Sequence, residues 1–379
     1  MPWKLETPMS QRKEFVSLAQ TDGANLARLC RRFEVSRKIG YKWLARYREA
    51  GESGLADRSR RPHHSPRETQ EAVVAAVLAV RAAHPAWGGR KIRARLLAQG
   101  WVQVPAASTI TAILHRHGLI DPEDAAKHKA WQRFEAPAPN DLWQMDFKGH
   151  FAAAAGRCHP LTVLDDHSRY ALGLEACADE RRHTVQSHLT AIFRRYGLPR
   201  KMLMDNGPPW GAEGQADYTG LTVWLLRLGV RVSHARPYHP QTMGKDERFH
   251  RTLKAELLQY CLGLELIQCQ PRFEAWRLVY NLERPHEALG MAVPASRYRE
   301  SPRSFPEHLP AIEYGPGDLV RKVSVIGEIN FRNRSFRVGK AFRGEWLALR
   351  PTVTDGLWEV YFGQHRIARI DLREPAEPE

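Results

Sequence analysis

The sequence predicts a multidomain α+β protein with an all-α N-terminal third, a central α/β unit and a C-terminal unit of short strands. Three observations predict this order. Apolar residues recur at helical spacing through residues 10–120, strands and helices alternate between residues 141 and 300, and turn residues recur about every ten positions after Val320. A chain of 379 residues is long enough for several such units.

The composition is that of a folded protein outside the membrane. Hydrophobic residues make up 43% of the chain and charged residues 26%, which is enough apolar material for packed cores. No run of eighteen apolar residues is present, and the N-terminal segment lacks the apolar stretch of a signal peptide, so we expect a cytoplasmic protein. The five cysteines form no CxxC pair, and their odd number favours reduced thiols over a disulfide framework or a zinc ribbon.

Positive charge is concentrated toward the N-terminus. The formal net charge is +15, and residues 1–130 alone carry +11, from 23 Lys and Arg against 12 Asp and Glu. A basic segment suits a polyanion such as DNA, because each neutralised phosphate releases counterions. A solvated basic surface explains the charge equally well, so charge alone does not decide between the two.

Residues 10–49 have the pattern of three short helices. Ser36 is placed to cap the third of them. Four apolar residues of that helix recur at about every fourth position and are predicted to face inward: Ile39, Trp43, Leu44 and Tyr47. Its other face carries four basic residues that we predict to contact DNA: Arg37, Lys38, Lys42 and Arg46. This arrangement suits the recognition helix of a helix-turn-helix unit, with an ordinary three-helix bundle as the alternative.

A second unit of the same kind follows at residues 68–120. Residues 89–98 (GRKIRARLLA) form a basic amphipathic helix, in which Arg90 and Lys91 are predicted to contact DNA. Ser108 is placed to cap the next helix. Two helix-turn-helix units in tandem would read a longer DNA site than one.

The two units are joined by residues 51–67, which are rich in Gly, Ser, Pro and Arg. Arg58, Arg60 and Arg61 fit a basic arm that enters a DNA minor groove. A flexible, solvated linker is an equally good interpretation of the same composition.

The middle of the chain changes to short strands. Residues 142–151 alternate apolar and polar positions, and together with residues 159–170 and 171–178 they predict three short antiparallel strands with tight turns. A helix over residues 184–196 and a strand over residues 201–204 follow. This β-β-β-α-β order is that of the RNase H-like fold.

Three carboxylates stand out in this unit. Asp146 lies inside the first strand, where a carboxylate is costly to bury unless it is paired or binds a metal. Asp205 ends the fourth strand, and Glu247 lies on a helix that begins near Lys245. Four residues are predicted to form the buried stripe of that helix: Phe249, Leu253, Leu257 and Tyr260. Taken singly, each acid also fits a purely structural role. A strand-edge aspartate is often a turn former, and Glu247 could form a surface ion pair with Arg251.

Five segments together resemble the integrase core of bacterial insertion-sequence transposases and retroviral integrases. They are WQMD at 143–146, DDHSRY at 165–170, DNG at 205–207, the run at 239–253 and YNLERPHEAL at 280–289. The resemblance implies that Asp146, Asp205 and Glu247 are the catalytic, metal-binding triad. Forty-one residues separate the second acid from the third, more than is usual in the family, and we place the extra residues in the loop at 208–220.

The resemblance implies a DNA transposase that binds the terminal inverted repeats of an insertion sequence and catalyses strand cleavage and strand transfer. Three carboxylates suit Mg²⁺ or Mn²⁺, with two ions per active site. The implied partners are double-stranded DNA, as element ends and target, and further copies of the chain in a homodimer or higher oligomer. The implied location is the bacterial nucleoid in the cytoplasm. The alternatives are a catalytically silent DNA-binding regulator derived from a transposase, and another RNase H-like nuclease.

Other polar residues surround the predicted triad. Six of them are assigned to DNA contact: His239, Gln241, Lys245, Arg248, Arg251 and Lys254. Asp165 and Asp166 are predicted to cap the turn between the second and third strands. Successive residues of an α-helix are about 100° apart around its axis, so Asp246 and Glu247 point in different directions. We therefore predict Asp246 to lie near the triad without being one of its members.

After a helix over residues 265–281 and a Pro-rich stretch over residues 284–310, short strands predict a small β-barrel. Its arginines would suit phosphate contact, although a purely structural barrel is the alternative. The predicted domains are a helix-turn-helix at 1–50, a basic linker at 51–67, a second helix-turn-helix at 68–120, a linker at 121–140, the integrase-like core at 141–300, a linker at 301–318 and the barrel at 319–374.

Overall fold

The computed structural model describes residues 7–58, 69–120, 135–211, 218–234, 244–309 and 311–374. The chain divides into two compact units, Met1–Glu68 and Thr69–Glu379. Four of the predicted DNA contacts lie outside the described residues: Arg60, Arg61, His239 and Gln241.

The first unit is a three-helix bundle of α1 (Pro8–Ala19), α2 (Leu26–Arg32) and α3 (Arg37–Ala50). The predicted cap of α3 is confirmed, because the Ser36 side chain accepts a hydrogen bond from the backbone N–H of Ile39. Trp43 and Leu44 are buried as predicted, but the prediction for Ile39 is wrong, since it is 42% exposed. A 3-10 helix, Gly51–Leu55, follows, and its Leu55 is fully buried, so the start of the predicted linker is folded onto this bundle.

A second set of three helices opens the larger unit: α4 (Glu71–Ala83), α5 (Gly89–Ala98) and α6 (Ala107–Arg116). Their shared core includes Ile92, Ile110 and Ile113, all fully buried. The predicted capping role of Ser108 is wrong. The helix begins at Ala107, with no side-chain cap, so the serine already lies within its first turn.

The central sheet has six strands: β1 (Trp143–Phe147), β2 (Phe151–Ala152), β3 (Arg157–Asp165), β4 (Ala171–Cys177), β5 (Lys201–Met204) and β6 (Arg231–His234). They pair in the order β2-β3-β1-β5-β6, and β4 pairs with β3 as well. The β1–β3 and β3–β4 pairs are antiparallel, whereas β1–β5 and β5–β6 are parallel. The predicted β-β-β-α-β order is found as β1, β3, β4, α7 and β5, with the two-residue strand β2 as an addition between β1 and β3.

Helices cover both faces of this sheet. On one face α7 (Arg182–Tyr196) and α8 (Gly220–Arg227) pack on a cluster that includes Met145 and Phe147 of β1. On the other face lie α9 (Gly244–Glu256) and α10 (Leu266–Leu282). Since successive side chains of a strand point to opposite faces, Asp146 is turned toward α9.

The buried stripe of α9 differs from the prediction at one position. Phe249, Leu253 and Leu257 are buried as predicted, but Tyr260 is 58% exposed. The helix ends at Glu256 and a short 3-10 helix follows, so the spacing of an α-helix does not continue to Tyr260.

The free edge of β4 is covered by amide side chains of α10. Asn281 accepts a hydrogen bond from the N–H of Ala171 at 2.8 Å and donates to its carbonyl oxygen at 2.9 Å. Farther along the strand, Gln270 accepts from the N–H of Ala176 and donates to the carbonyl oxygen of Leu174. These side chains pair backbone groups that a sheet edge would otherwise leave open.

The C-terminal residues form a four-stranded sheet and a hairpin. Their strands are β7 (Leu319–Lys322), β8 (Glu328–Phe331), β9 (Arg334–Arg337), β10 (Trp346–Pro351), β11 (Leu357–Phe362) and β12 (His365–Asp371). The sheet order is β12-β11-β10-β7, and β8 pairs with β9. Across the strands described here, no pairing closes the two sheets into the predicted barrel. The hairpin packs through side chains such as Ile329 and Phe331 onto the sheet and onto α8 instead.

All five cysteines are buried and unpaired, as predicted for reduced thiols. Over the described residues, the helices are too short or too polar to span a membrane.

Candidate active site

Asp146 is held by the pairing of β1 with β3. Its Oδ1 accepts a hydrogen bond from the backbone N–H of Phe147 at 2.8 Å. Directly opposite on β3 lies Thr162, whose hydroxyl donates to the carbonyl oxygen of Asp146 at 2.9 Å. The side chain is 26% exposed, so its second oxygen, Oδ2, is available within a half-buried site.

Asp205 follows β5 directly. Because β5 runs parallel to β1 and pairs with it, Asp205 and Asp146 lie at the same end of neighbouring strands. The N–H of Gly207 donates to Asp205 Oδ1 at 3.1 Å. The ring Nδ1 of His234, at the end of β6, lies 2.7 Å from the carbonyl oxygen of Asp205. The structure thus brings the first two acids of the predicted triad together.

The third predicted acid, Glu247, lies on the first turn of α9 and is exposed. The α9 side chains that reach Asp146 are those of Asp246 and His250. One ligand atom from each of these three residues lies within 4.8 Å of the others. The ring Nδ1 of His250 is 4.0 Å from Asp146 Oδ2.

His250 was not predicted, and Asp246 was predicted only as a neighbour of the triad. A signal for both was present in the sequence. Asp246 and His250 are spaced with Phe249 and Leu253 at three- and four-residue intervals, so a polar pair interrupts the buried stripe of the helix. Both are buried, with Asp246 only 1% exposed.

The electrostatics of the site favour a cation. Burial and the charge of Asp205 raise the pKa of Asp146 to about 7. Burial also raises the pKa of Asp205, against the hydrogen bond from Gly207. The pKa of Asp246 is raised well above its ordinary value by burial and by Asp146. Crowded carboxylates resist ionisation until a cation offsets their charge, and an oxygen donor set suits hard divalent ions.

The two acids of the β3–β4 turn have different roles. The predicted turn cap is confirmed for Asp165, whose Oδ1 accepts from the N–H and hydroxyl of Ser168. For Asp166 it is wrong, because that side chain turns inward and accepts from Gln144 Nε2 and from Lys245 Nζ. Lys245, predicted as a DNA contact, is held in this ion pair and is 16% exposed.

The outer face of α9 carries the remaining basic residues assigned to this region. Arg248, Arg251 and Lys254 are exposed, as is Glu247. They lie on the helical turns at and after the acid cluster.

The basic residues of α3 are accessible. Arg37, Lys38 and Lys42 are exposed, and the Arg46 guanidinium lies 5.1 Å from the ring centre of Trp43. Arg58 forms an ion pair with Glu49 at 3.1 Å. The first unit therefore presents a basic helix surface around a tryptophan.

Helix α5 docks on the core, which the sequence did not predict. Arg95 forms an ion pair with Glu283 at 2.6 Å, and the largely exposed Arg90 reaches Glu287 at 3.3 Å. Between them in sequence, Lys91 has its pKa lowered to about 8 by burial and by the nearby charge of Arg284. The basic face of this helix thus meets the segment after α10.

The motif at residues 280–289 spans the end of α10 and the residues that follow it, and its side chains make structural contacts. Tyr280 packs edge-on against Phe249 of α9, with ring centres 4.9 Å apart. Arg284 forms a buried ion pair with Glu256 at 3.0 Å. Asn281 of α10 also donates a hydrogen bond to Ala171 of β4. Together these contacts fix α9 against the sheet that bears Asp146.

Family models match most of the described organisation. Residues 11–63 match a helix-turn-helix domain and residues 39–114 a homeodomain-like domain. Residues 136–240 and 228–294 match integrase core domains, and residues 318–378 match the IS481 family transposase C-terminal domain. The chain therefore carries helix-turn-helix, integrase-core and transposase C-terminal modules in that order.

Curated relatives come from insertion elements. One is the "Insertion element IS476 uncharacterized 39.2 kDa protein" of Xanthomonas euvesicatoria, 30% identical over 159 residues, or 41% of this chain and 44% of that one. Another is the "Insertion element IS407 uncharacterized 31.7 kDa protein" of Burkholderia multivorans, 27% identical over 176 residues, or 45% of this chain and 61% of that one. The chain thus matches about half the length of these relatives.

Among solved structures, the integrase catalytic core domain of HTLV-2 in complex with magnesium is similar at 17% identity and a TM-score of 0.35. The match covers 44% of this chain and 100% of the HTLV-2 integrase core, and the similarity is too distant to bear on activity. The matched modules and the insertion-element relatives point to the same kind of protein. In these modules the chain is similar to insertion-sequence transposases that have an integrase-like core.

Proposed function

We propose that this protein is a DNA transposase that binds the terminal inverted repeats of its own insertion sequence and catalyses strand cleavage and strand transfer. One observation carries the proposal. Asp146 and Asp205 lie at the same end of adjacent parallel strands, and α9, which bears Glu247 on its first turn, packs against β1. The helix-turn-helix and integrase-core matches support it.

In this proposal Asp146, Asp205 and Glu247 hold two divalent ions, Mg²⁺ or Mn²⁺. The raised pKa values of the two aspartates support a site that is completed by cations. When bound, such a pair supplies Lewis-acid activation of the attacking oxygen and stabilisation of the leaving oxygen.

The chemistry consists of two phosphodiester transfers. In the first, a water oxygen attacks phosphorus at the element end and the bond from phosphorus to the 3′ oxygen breaks. The leaving oxygen takes up a proton and becomes a 3′-hydroxyl, and the water oxygen stays on the 5′-phosphate. In the second, that hydroxyl attacks a phosphodiester of the target, so one phosphorus–oxygen bond forms for each one broken and no ATP is needed.

Basic residues of the chain position the DNA. We propose that the exposed residues of α9 guide the backbone past the acids and that α3 reads the element end in a major groove. The full set of proposed contacts is Arg37, Lys38, Lys42, Arg46, Arg58, Arg60, Arg61, Arg90, Lys91, His239, Gln241, Lys245, Arg248, Arg251 and Lys254. Lys245 is the weakest member, because its ammonium is already paired with Asp166.

Transposition joins two DNA ends, so we propose a homodimer or higher oligomer acting at the bacterial nucleoid in the cytoplasm. The C-terminal sheets are proposed to serve as an assembly or DNA-contact module. The match of residues 318–378 to a transposase C-terminal domain supports this assignment.

A cleavage and strand-transfer assay tests the proposal. Labelled DNA with the element's ends is incubated with the full chain and Mg²⁺, beside Asp205→Asn and the control Asp141→Asn, which alters a surface partner of Arg200. We expect nicked and joined products from the wild type and the control but none from Asp205→Asn, with DNA binding retained by all three. Tight binding without cleavage by any of them, in Mg²⁺ or Mn²⁺, would instead indicate a DNA-binding regulator.

A further inference from the structure

The carboxylate of Asp246 is sealed in the interior without a full set of partners. The residue is 1% exposed, between α9 and the sheet. Its Oδ1 lies 3.5 Å from the hydroxyl oxygen of Thr162. From the part of the chain that the structure describes, no group donates a hydrogen bond to its Oδ2. A buried carboxylate oxygen in this state is costly unless a proton or a cation accompanies it.

His250 lies between this carboxylate and Asp146. Its Nε2 is 2.9 Å from the Thr162 hydroxyl oxygen and 3.4 Å from Asp246 Oδ2. Because the Thr162 hydroxyl already donates to the carbonyl oxygen of Asp146, its oxygen is left to accept from the ring. The proton of a neutral imidazole therefore belongs on Nε2, and the lone pair belongs on Nδ1.

That lone pair faces a second acceptor. Nδ1 of His250 is 4.0 Å from Asp146 Oδ2, which is too far for a hydrogen bond. Two acceptors that face each other across such a gap are suited to ligate one cation. With Asp246, one ligand atom from each of the three residues falls within a 4.8 Å span.

We propose that Asp146, Asp246 and His250 form a divalent-cation site with one imidazole nitrogen, distinct from the all-carboxylate site of Asp146, Asp205 and Glu247. A nitrogen ligand suits a transition-metal ion such as Mn²⁺ better than Mg²⁺, which prefers oxygen. The orphaned oxygen of Asp246 and the lone pair of His250 then both have a partner. The site shares Asp146 with the proposed catalytic centre but does not depend on cleavage activity.

The test uses the full chain with Mn²⁺ as the probe and no DNA. Pulsed electron paramagnetic resonance detects a nitrogen nucleus bound directly to Mn²⁺. We expect a nitrogen coupling in the wild type that disappears in His250→Gln. It should persist in Asp205→Asn, which removes an acid of the proposed catalytic site, and in the matched control His159→Gln, which alters a histidine of β3 whose ring is paired with Glu180.

Bound Mn²⁺ without any nitrogen coupling in the wild type, or a coupling that survives in His250→Gln, overturns the proposal. If His250→Gln does not fold, the isosteric Asp246→Asn carries the test. We expect it to weaken Mn²⁺ binding about tenfold or more, and unchanged binding contradicts the site. Normal DNA cleavage by a wild type that lacks the nitrogen coupling would refute this site and leave the proposed transposase activity intact.

Discussion

Lys245 Nζ lies 2.5 Å from Asp166 Oδ2, and this ion pair ties the first turn of α9 to the turn between β3 and β4. The Asp166 side chain is fully buried and also accepts hydrogen bonds at 2.7 Å from the N–H of Ala136 and from Gln144 Nε2. The pair therefore fixes where α9 begins relative to the strand that bears Asp146.

Loss of this ion pair should destabilise the core. We expect Lys245→Met to lower the free energy of unfolding by about 3 kcal/mol, because it leaves the buried carboxylate of Asp166 without its cation. Lys254→Met, a change of an exposed lysine on the same helix, should cost less than about 0.5 kcal/mol. Urea denaturation of both variants measures the difference. Equal stabilities would show that Asp166 needs no cation.

The hydrogen bonds from α10 side chains to the edge of β4 should contribute most to the free energy of unfolding at the buried end of that edge. Asn281 is fully buried, whereas Gln270 is partly exposed. We expect Asn281→Ala to cost about 2 kcal/mol, because the buried N–H of Ala171 loses its partner, while its carbonyl oxygen keeps the hydrogen bond from Arg277 Nη1. Gln270→Ala should cost about 1 kcal/mol, since water can replace its side chain. Denaturation curves that rank the two variants in the opposite order would contradict this account.

The docking of α5 on the core should depend on Arg95 and Glu283. Each single substitution, Arg95→Ala or Glu283→Ala, should speed hydrogen exchange in α5, and the double variant should add little more. The coupling free energy should be about 0.5–1 kcal/mol, as expected for a partly exposed ion pair. The exposed Arg93 on the same helix gives the control, Arg93→Ala, which should leave exchange unchanged. Fully additive effects would mean that the two side chains do not interact.

Lys91 makes DNA affinity depend on pH if it contacts phosphate as proposed. Its pKa in the free protein is lowered to about 8, so the ammonium is intact below that pH and is lost above it. Affinity should therefore fall as pH rises from 7 to 9, by up to about tenfold per pH unit above 8. Lys91→Arg keeps its charge and should bind equally at both values. A parallel decline in both proteins, measured at constant ionic strength, would exclude Lys91 as the source.

Local patterns predicted the elements well. The spacing of apolar residues located α3 and α5, and the strand at Lys201–Met204 was predicted with its observed bounds. The errors occurred where a pattern was extended past an element end, as at Tyr260, or where a helix began two residues earlier than predicted, as at Ser108. Helix ends depend on capping and local backbone geometry, which apolar spacing does not record.

Some features of the candidate site could likewise be predicted from the sequence, and others could not. Asp146 and Asp205 were predicted from their strand positions together with the resemblance of five segments to an integrase core. The inward turn of Asp166 toward Lys245, and the placement of Asp246 and His250 beside Asp146, depend on how α9 is rotated on the sheet. Those contacts join residues some 80 to 100 positions apart, where sequence spacing carries no information.

The sequence by itself determined the order of the modules and most of the elements within them, and it predicted the acids proposed for the site, because periodicity and residue chemistry are local properties of the chain. Only the tertiary structure decided which face of α9 meets the sheet, that α5 docks on the segment after α10, and that the C-terminal strands form two sheets. These outcomes follow from the packing of distant surfaces against each other, in which burial and charge pairing are satisfied for the whole unit together.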